Sequence, residues 1–419
     1  MKKVDAILPP ITDNTAPARS GRPMDAVPRL LYVSPVIPSR TGSGLAMRAG
    51  RMIELLARRH AVWLLVVPLH GHTDHDVPAE IACLCRAVAT LDADAMPRDP
   101  FHAALRIDWT SHDALPATWP FEDLEFDIIH AYRLTTLSVA RRYVVGNGTS
   151  RPLHVDLDEA ESASRRRMAR VLSDGGHGTA AKFATLEATR CARLERDVIE
   201  HSDAVYVCSD EERDALAHAG TRAQIRTVPN VIPVDKAWTV PLARHVGDPF
   251  RMLFVGTLAF PANEDAVVHF CRDVMPLVRA SAKRRVELVV VGAGASPRLE
   301  ALASAHDDVT LAGFVGDVAP CYASSDAVVV PLRTGGGARL KVLEAMAHGR
   351  PLVATRTGLA GIAAEPDRHV LVGDDAERFA AQCCRLIADP ALGVRLAMEA
   401  HALVSSAHTI EAAAAALYA

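Results

Sequence analysis

The chain has 419 residues, of which 49% are hydrophobic, with 46 lysines and arginines against 50 aspartates and glutamates. At roughly 150 residues per domain, this length predicts two or three domains. A formal net charge of −4 argues against a nucleic-acid partner, because a surface for nucleic acid carries a strong basic excess. The longest apolar stretch, Ala61 to Leu69, is far shorter than the roughly 20 residues that cross a bilayer.

The N-terminal region carries no hydrophobic period, and residues 1–27 are predicted to form a disordered tail. Asp5 and the pair Pro9 and Pro10 interrupt any signal-peptide core. The eight cysteines contain no C-x-x-C pair, which predicts reduced and mostly buried thiols. We therefore expect a cytoplasmic protein.

From Arg29 onward, short continuous apolar runs alternate with longer segments of helical character. Continuous runs are typical of strands that are covered on both faces, as in a parallel sheet. An apolar stripe that includes Met52 and Leu56 predicts a helix over Leu45–Arg59. The strands predicted in this first array are Leu30–Val33, Val62–Val67, Asp127–His130, Leu153–Leu157, Ala204–Val207 and Val228–Ile232.

Residues 236–248, rich in proline, glycine and charge, are the predicted linker, and the strand–helix alternation restarts after them. The fold class is therefore predicted as α/β, with two Rossmann-like, doubly wound parallel-sheet domains that face a central cleft. The predicted domains are 28–235 and 249–400, followed by a C-terminal helix over 401–419 that could pack back on the first domain. The strands predicted in the second array are Met252–Val255, Val286–Val291, Val309–Leu311, Ala327–Val330, Leu352–Ala354 and Val370–Val372.

One loop stands out, because a predicted strand leads through Gly335, Gly336 and Gly337 directly into a predicted helix. Adjacent glycines indicate positive φ angles or a close approach of the backbone to a ligand. The N-terminus of a helix favours phosphate, and Arg339 and Lys341 supply cations there. A flexible turn with solvated charges is the alternative interpretation.

Several ordered motifs resemble glycosyltransferases of the B-type, two-Rossmann fold, in particular the retaining family-four group. The donor-binding half of that group is similar to Arg350–Thr355 and Gly358–Ile362, and the start of its second domain is similar to Phe254–Ala266. Its N-terminal glycine loop resembles Ser34 to Gly44. The resemblance covers the chain from about Arg29 to the C-terminal helices.

The resemblance implies where the donor binds. Family members carry two glutamates separated by seven residues, and Glu344 fits the second, whose implied role is to bind the nucleotide ribose. A surface glutamate is the alternative for this residue. The first glutamate position falls on Gly336, so the backbone N–H groups of this loop are the alternative contact for the sugar. Many relatives also place an arginine and a lysine after the first strand of the second domain, and Arg339 and Lys341 are the expected substitutes.

The expected donor-binding residues lie in three segments of the chain that follow predicted strands. The residues expected to contact the donor are Gly42, Ser43, Gly44, Gly256, Asn263, Gly335, Gly337, Arg339 and Glu344. The residues expected to take part in catalysis are His130, Gly336 and Lys341. His130 ends a predicted strand where the family often has a histidine, and a structural, hydrogen-bonded histidine is the alternative.

Tyr132, Asp158 and Glu159 are expected on the acceptor side. The acid pair Asp156 and Asp158 is similar to a metal-binding pair of the other glycosyltransferase fold, but that fold does not have two strand–helix arrays. Asp158 and Glu159 are therefore expected to line the acceptor cleft or to cap the following helix.

Two further clusters of charged or metal-ligand side chains have simple structural interpretations. The basic run Arg165–Arg167 is interpreted as a solvated helix face, with contact to anionic lipid or a charged acceptor as the alternative. A group with metal-ligand side chains follows the second predicted strand in a polar loop and is interpreted as solvated. Its members are His70, His72, His75 and Asp76.

The resemblance implies a retaining, metal-independent glycosyltransferase of hexosyltransferase type, with no cofactor besides a nucleotide-diphosphate-sugar co-substrate. Its leaving phosphate would help to take the proton of the acceptor hydroxyl. Expected partners are this donor and a saccharide or lipid-linked acceptor in polysaccharide or glycoconjugate synthesis, with peripheral contact at the inner face of the membrane and no nucleic acid. A nucleotide-sugar epimerase of the same fold and a non-catalytic binding protein derived from a transferase remain as alternatives.

Overall fold

The computed structural model describes residues 27–68, 76–91, 119–146, 149–217, 223–234, 249–335 and 339–419. Residues 1–26 of the predicted tail and the whole predicted linker lie outside the described residues. The same holds for Gly336, Gly337, His70, His72 and His75.

The chain forms two compact units. The first unit comprises the described residues up to Asp158, together with Arg190–Val207 and Leu216–Arg226. The second unit comprises Glu159–Thr189, Cys208–Ala215 and Thr227–Ala419.

The first unit contains a seven-stranded sheet of order β3-β2-β1-β4-β7-β8-β9. Neighbouring strands from β3 through β8 are parallel. Strands β5 and β6 pair antiparallel in a separate two-stranded sheet. The strands are β1 Arg29–Ser34, β2 Ala61–Val66, β3 Cys85–Thr90, β4 Ile128–Tyr132, β5 Val145–Gly146, β6 Thr149–Ser150, β7 Leu153–Asp158, β8 Ala204–Val207 and β9 Gln224–Thr227.

The second unit contains a six-stranded sheet of order β12-β11-β10-β13-β14-β15. All its neighbouring pairs are parallel. The strands are β10 Phe250–Val255, β11 Val286–Val291, β12 Val309–Gly313, β13 Ala327–Val330, β14 Leu352–Ala354 and β15 Leu371–Val372. The predicted α/β class with two parallel-sheet domains is therefore confirmed.

Helices connect the strands, as parallel pairing requires. Their bounds are α1 Gly44–Leu56, α2 Ala79–Ala82, α3 Leu137–Arg142, α4 Glu161–Asp174, α5 Gly178–His201, α6 Asp210–Leu216, α7 Pro261–His269, α8 Met275–Ser281, α9 Pro297–Ser304, α10 Ala319–Ala323, α11 Leu340–Ala347, α12 Arg356–Leu359, α13 Ala376–Ala388, α14 Pro390–Ala407 and α15 Ile410–Tyr418. A 3₁₀ turn over Leu134–Thr136 precedes α3, and a π-helical turn over Phe270–Val274 joins α7 to α8. No helix among these described residues is long and apolar enough to span a membrane.

Burial explains why the continuous apolar runs became central strands. Every side chain from Leu30 to Val33 is inaccessible to solvent, as are those of Leu64 and Leu65. A strand buried on both faces gains hydrophobic stabilisation at each position, not at alternate positions. All eight cysteines are free thiols, and four of them are buried.

One predicted strand was wrong, and one strand of the first sheet was not predicted. The strand predicted over Val228–Ile232 is irregular backbone, and β9 lies just before it. Those apolar residues are buried without sheet pairing, and the Ile232 N–H bonds to the carbonyl of His408 at 3.0 Å. Strand β3 was missed because it is a partly exposed edge strand whose sequence includes Arg86 and Thr90.

Candidate functional site

The strand order of the second sheet marks one place for a ligand. From β10 the chain steps outward to β11 and β12, and then returns to β13 on the other side of β10. In open α/β sheets, ligands bind beyond the carboxyl ends of strands at such a reversal. Gly256 follows β10 and the glycine loop follows β13, so the fold brings these two segments together.

Lys341 and Asn263 meet beside Gly256. The Lys341 Nζ atom donates a hydrogen bond to Asn263 Oδ1 at 2.6 Å, and Asn263 Nδ2 donates to the Thr257 carbonyl at 2.8 Å. A Cβ atom on Gly256 would lie only 2.6 Å from Lys341 Nζ and 2.9 Å from Asn263 Nδ2. A side chain at position 256 would therefore displace Lys341 and Asn263 from their places beside the carboxyl end of β10.

Within the part of the chain that the structure describes, the charge of Lys341 has no carboxylate partner in contact with it. Its Nζ atom lies 4.2 Å from the centroid of the Phe254 ring, and it forms no ion pair with any described residue. Burial and, to a smaller extent, repulsion from Arg339 lower the pKa of Lys341 to about 7, while Glu344 acts in the opposite direction. An anion at this place would stabilise the protonated lysine.

Arg339 packs against the first glycine of the loop. It is 8% exposed, and its Nε and Nη2 atoms each lie 3.4 Å from the Thr357 carbonyl oxygen. Gly335 has a φ of +110°, which side chains other than glycine rarely adopt. A Cβ atom there would also lie 3.0 Å from Arg339 Nη1.

Thr355 ties the strand after this loop to the loop itself. Its hydroxyl donates to the Leu332 carbonyl at 2.5 Å and accepts from the Gly358 N–H at 2.9 Å. A Cβ atom on Gly358 would lie 2.7 Å from the Val330 carbonyl oxygen. These contacts hold α12, and with it the Thr357 carbonyl, against the carboxyl end of β13.

Glu344 is held by a tyrosine. The buried Tyr322 hydroxyl donates to Glu344 Oε2 at 3.0 Å. Burial raises the pKa of Glu344, and the hydrogen bond from Tyr322 and the charge of Lys341 oppose that rise. Glu344 and Lys341 lie one turn apart on α11, so a carboxylate and an ammonium face the same region.

Arg167 contacts the glycine loop, which sequence reasoning missed. Its Nε atom donates to the Gly335 carbonyl at 3.0 Å. Arg165 pairs with Glu187, whose carboxylate is buried, at 2.9 Å. The interpretation of Arg165–Arg167 as a solvated face is therefore wrong for two of the three arginines, and it holds for the exposed Arg166.

The strand order of the first sheet also reverses, between β1 and β4. Gly42, Ser43 and Gly44 follow β1, and the Ser43 hydroxyl accepts from the Ala46 N–H at 3.3 Å as the N-cap of α1. Gly42 has a φ of +98°, and a Cβ atom built there meets no described atom within 4 Å.

Charged groups at the reversal of the first sheet are paired with one another. Arg48 is 4% exposed, and its Nη2 and Nε atoms donate to Asp156 Oδ1 at 2.8 Å and Oδ2 at 3.0 Å. Arg133 Nη1 and Arg48 Nε each lie 3.5 Å from a carboxylate oxygen of Asp158. Arg133 and Asp158 have φ angles of +68° and +62°, and such backbone strain in non-glycine residues clusters at functional sites.

His130 and Tyr132 lie inside the first unit. The His130 ring is fully buried and stacks between Tyr32 and Tyr206, with centroids 5.1 and 5.5 Å apart. Burial lowers the pKa of His130 well below its ordinary value, which favours the neutral ring. The Tyr132 side chain is also fully buried. Contact of either residue with a substrate would need a rearrangement of the unit, and their assigned roles stay predictions.

Glu159 begins the second unit and is partly exposed. The N-cap of α4 is Ala160, which makes no side-chain capping bond, so the expectation that Asp158 or Glu159 caps this helix is wrong. The Ala160 N–H instead bonds to the Glu212 carboxylate at 2.8 Å.

Residues 249–389 match the family model described as "Glycosyl transferases group 1". This span contains Gly256, Asn263, Gly335, Arg339, Lys341 and Glu344, but not Arg167.

A curated relative covers part of the chain. The D-inositol 3-phosphate glycosyltransferase of Corynebacterium jeikeium (strain K411) is 27% identical over 229 residues, which are 50% of this chain and 54% of the relative. The chain thus spans about half the length of this curated relative.

Solved structures match nearly the whole chain. Sucrose-phosphate synthase from Thermosynechococcus elongatus has a TM-score of 0.67 at 19% identity and covers 93% of this chain and 97% of its own. HepE from Anabaena, solved in complex with UDP-glucose, has a TM-score of 0.61 at 15% identity. The match covers 93% of this chain and 97% of the HepE chain. These matches show that the chain has the B-type glycosyltransferase fold.

Proposed function

We propose that this protein is a glycosyltransferase that moves a sugar from a nucleotide-diphosphate donor to a hydroxyl acceptor with retention of configuration. The match of residues 249–389 to group 1 glycosyl transferases and the activity in the name of the curated relative support this proposal. The proposed acceptor is a saccharide or a lipid-linked saccharide of a polysaccharide or glycoconjugate pathway, reached from the inner face of the membrane.

One observation carries the proposal. Lys341 reaches the carboxyl end of β10 at the reversal of the second sheet, where its nearest hydrogen-bond partner is the neutral amide oxygen of Asn263. A departing diphosphate gains negative charge in the transition state, and preorganised cations stabilise such charge. Lys341 and Arg339 are the residues to which we assign this role.

The other groups of the cluster have distinct proposed roles. Glu344 would accept hydrogen bonds from the ribose hydroxyls of the nucleotide. Gly335 and its neighbours Gly336 and Gly337 would offer backbone N–H groups to the donor sugar. The leaving phosphate would help to remove the proton of the acceptor hydroxyl, so that no side-chain base and no metal ion is assigned to this step.

The direct test is a panel of UDP-, GDP-, ADP- and TDP-sugars, read first by thermal shift. A donor at about 100 times its dissociation constant stabilises the protein by about 2.7 kcal/mol. UDP-sugars come first in the panel because HepE was solved in complex with UDP-glucose. The best donor is then incubated with the protein, and its hydrolysis or transfer is measured.

Lys341→Ala should lower this turnover about 10²- to 10³-fold, since it removes one preorganised cation. The exposed Lys283, which precedes β11, offers a matched control, and Lys283→Ala should leave turnover unchanged. Unchanged turnover and nucleotide affinity in both Lys341→Ala and Arg339→Ala would refute the phosphate assignment.

The donor incubation also separates the two alternatives. Isomerised donor sugar in the absence of an acceptor would indicate an epimerase. Binding without hydrolysis, transfer or isomerisation above background would indicate a non-catalytic binding protein.

A further inference from the structure

Tyr322 is a rigid, fully buried side chain next to the proposed ribose contact. It lies on the short helix α10, and its accessible surface is 0%. Its ring stacks on the ring of His348, with centroids 4.7 Å apart and an interplanar angle of 14°. His348 directly follows α11, the helix that carries Glu344. The tyrosine ring is therefore fixed relative to that helix.

The Tyr322 hydroxyl holds one oxygen of the Glu344 carboxylate. It donates to Oε2 at 3.0 Å, and it also lies 3.5 Å from the backbone carbonyl of Lys341. Among the described residues, no hydrogen bond reaches Glu344 Oε1, and the residue remains partly accessible to solvent. The arrangement fixes the rotamer of the carboxylate and leaves one oxygen for a ligand.

The same hydrogen bond favours the charged form of the glutamate. Burial alone would favour a protonated carboxyl group, and the donated hydrogen bond from Tyr322 is the largest effect that opposes it. An ionised carboxylate accepts hydrogen bonds from hydroxyls, and charge-assisted bonds of this kind are stronger than neutral ones. A vicinal diol presents two such hydroxyls.

We propose that Tyr322 is a positioning residue for ribose recognition, which holds the Glu344 carboxylate oriented so that its free oxygen accepts hydrogen bonds from the ribose diol. The proposal rests on the function proposed above, because it assumes that Glu344 faces a nucleotide. It assigns Tyr322 no contact with the ligand. Loss of the Tyr322 hydroxyl is therefore predicted to lower the affinity only for nucleotides that carry the ribose diol.

The test compares the binding of UDP and 2′,3′-dideoxy-UDP to wild-type protein and to Tyr322→Phe, by titration calorimetry. If the thermal-shift panel selects another base, the matching pair of nucleoside diphosphates is used. The wild-type protein should prefer the ribonucleotide. Tyr322→Phe should reduce that preference about tenfold, with unchanged affinity for the dideoxynucleotide. In a Glu344→Gln background, the tyrosine substitution should cause no further loss of preference.

Tyr143→Phe is the matched control, because it also removes a tyrosine hydroxyl, one that donates to the Pro120 carbonyl at 2.6 Å in the first unit. It should leave the preference unchanged. An equal loss of affinity for both nucleotides in Tyr322→Phe would mean that the hydroxyl only supports the fold, and it would overturn the proposal. A fully retained preference would overturn it as well.

Failure of the proposed function has a different signature. Wild-type protein that binds no nucleotide of the panel would refute the donor site itself. Wild-type protein that binds both nucleotides without preference would remove the ribose role of Glu344, and with it the role of Tyr322, while the donor site would stand.

Discussion

The strand order reverses in the same way in the two sheets, but the cations near the reversal have different partners. In the first unit, Arg48 is buried against Asp156, and Arg133 lies beside Asp158. In the second unit, Lys341 is bonded to a neutral amide. The first region satisfies its cations with its own carboxylates, whereas the second leaves a cation whose nearest partner carries no charge.

The difference shows that strand order and charge contribute separately to a binding site. A reversal in strand order creates a crevice at the carboxyl ends of the strands. A lysine in that crevice without a carboxylate partner favours an anionic ligand, because the ligand supplies the missing charge. In the equivalent region of the first unit, the internal ion pairs include Arg133 and Asp158, which both have positive φ angles.

The largest effect is expected from breaking the buried pair in the first unit. Arg48→Ala should lower the free energy of unfolding by about 3–5 kcal/mol, because it leaves the carboxylate of Asp156 buried without its partner. The measurement is the urea unfolding transition.

Arg40→Ala is the matched control for that prediction. Arg40 pairs with Glu54 near the surface, where the arginine side chain is 44% exposed. Pairs of this kind contribute about 0–1 kcal/mol. A loss of stability in Arg48→Ala no larger than in Arg40→Ala would contradict the contrast between the two regions.

A smaller effect is expected from the arginine that contacts the glycine loop. Arg167→Ala removes the hydrogen bond to the Gly335 carbonyl and should weaken donor binding about tenfold. Arg166→Ala, at the exposed neighbouring position, should leave binding unchanged. Equal donor affinity in the two variants would exclude Arg167 from the site.

Much of the fold could be predicted from continuous apolar runs. Val286–Val291 and Ala327–Val330 have the predicted bounds, because strands buried on both faces contain few polar residues. Strand β3 was not predicted, because it lies at the edge of its sheet and is partly polar. Val228 and Ile232 misled the prediction because burial alone does not require pairing in a sheet.

The site could be predicted only in part. The glycine loop and the cations Arg339 and Lys341 were recognisable because they are close together in the sequence. The bond between Lys341 and Asn263 joins residues 78 positions apart, and it depends on β10 and β13 being neighbours, which no local pattern reveals. Tyr322 and Arg167 carry no motif, so only the folded structure could place them beside Glu344 and Gly335.

The smallest effect tests the central claim most directly, namely that Lys341 carries the charge that meets the diphosphate. With a pKa lowered to about 7, Lys341 is mostly neutral at about pH 8, and a bound diphosphate raises that pKa, so binding takes up a proton. It follows that donor affinity falls as the pH rises above about 7.

The measurement is titration calorimetry of the best nucleotide sugar at about pH 8, in buffers of different ionisation enthalpy. The wild-type protein should take up about one proton on binding, whereas Lys341→Arg, which stays charged at this pH, should take up none. No proton uptake by the wild-type protein, or equal uptake by both proteins, would contradict the account.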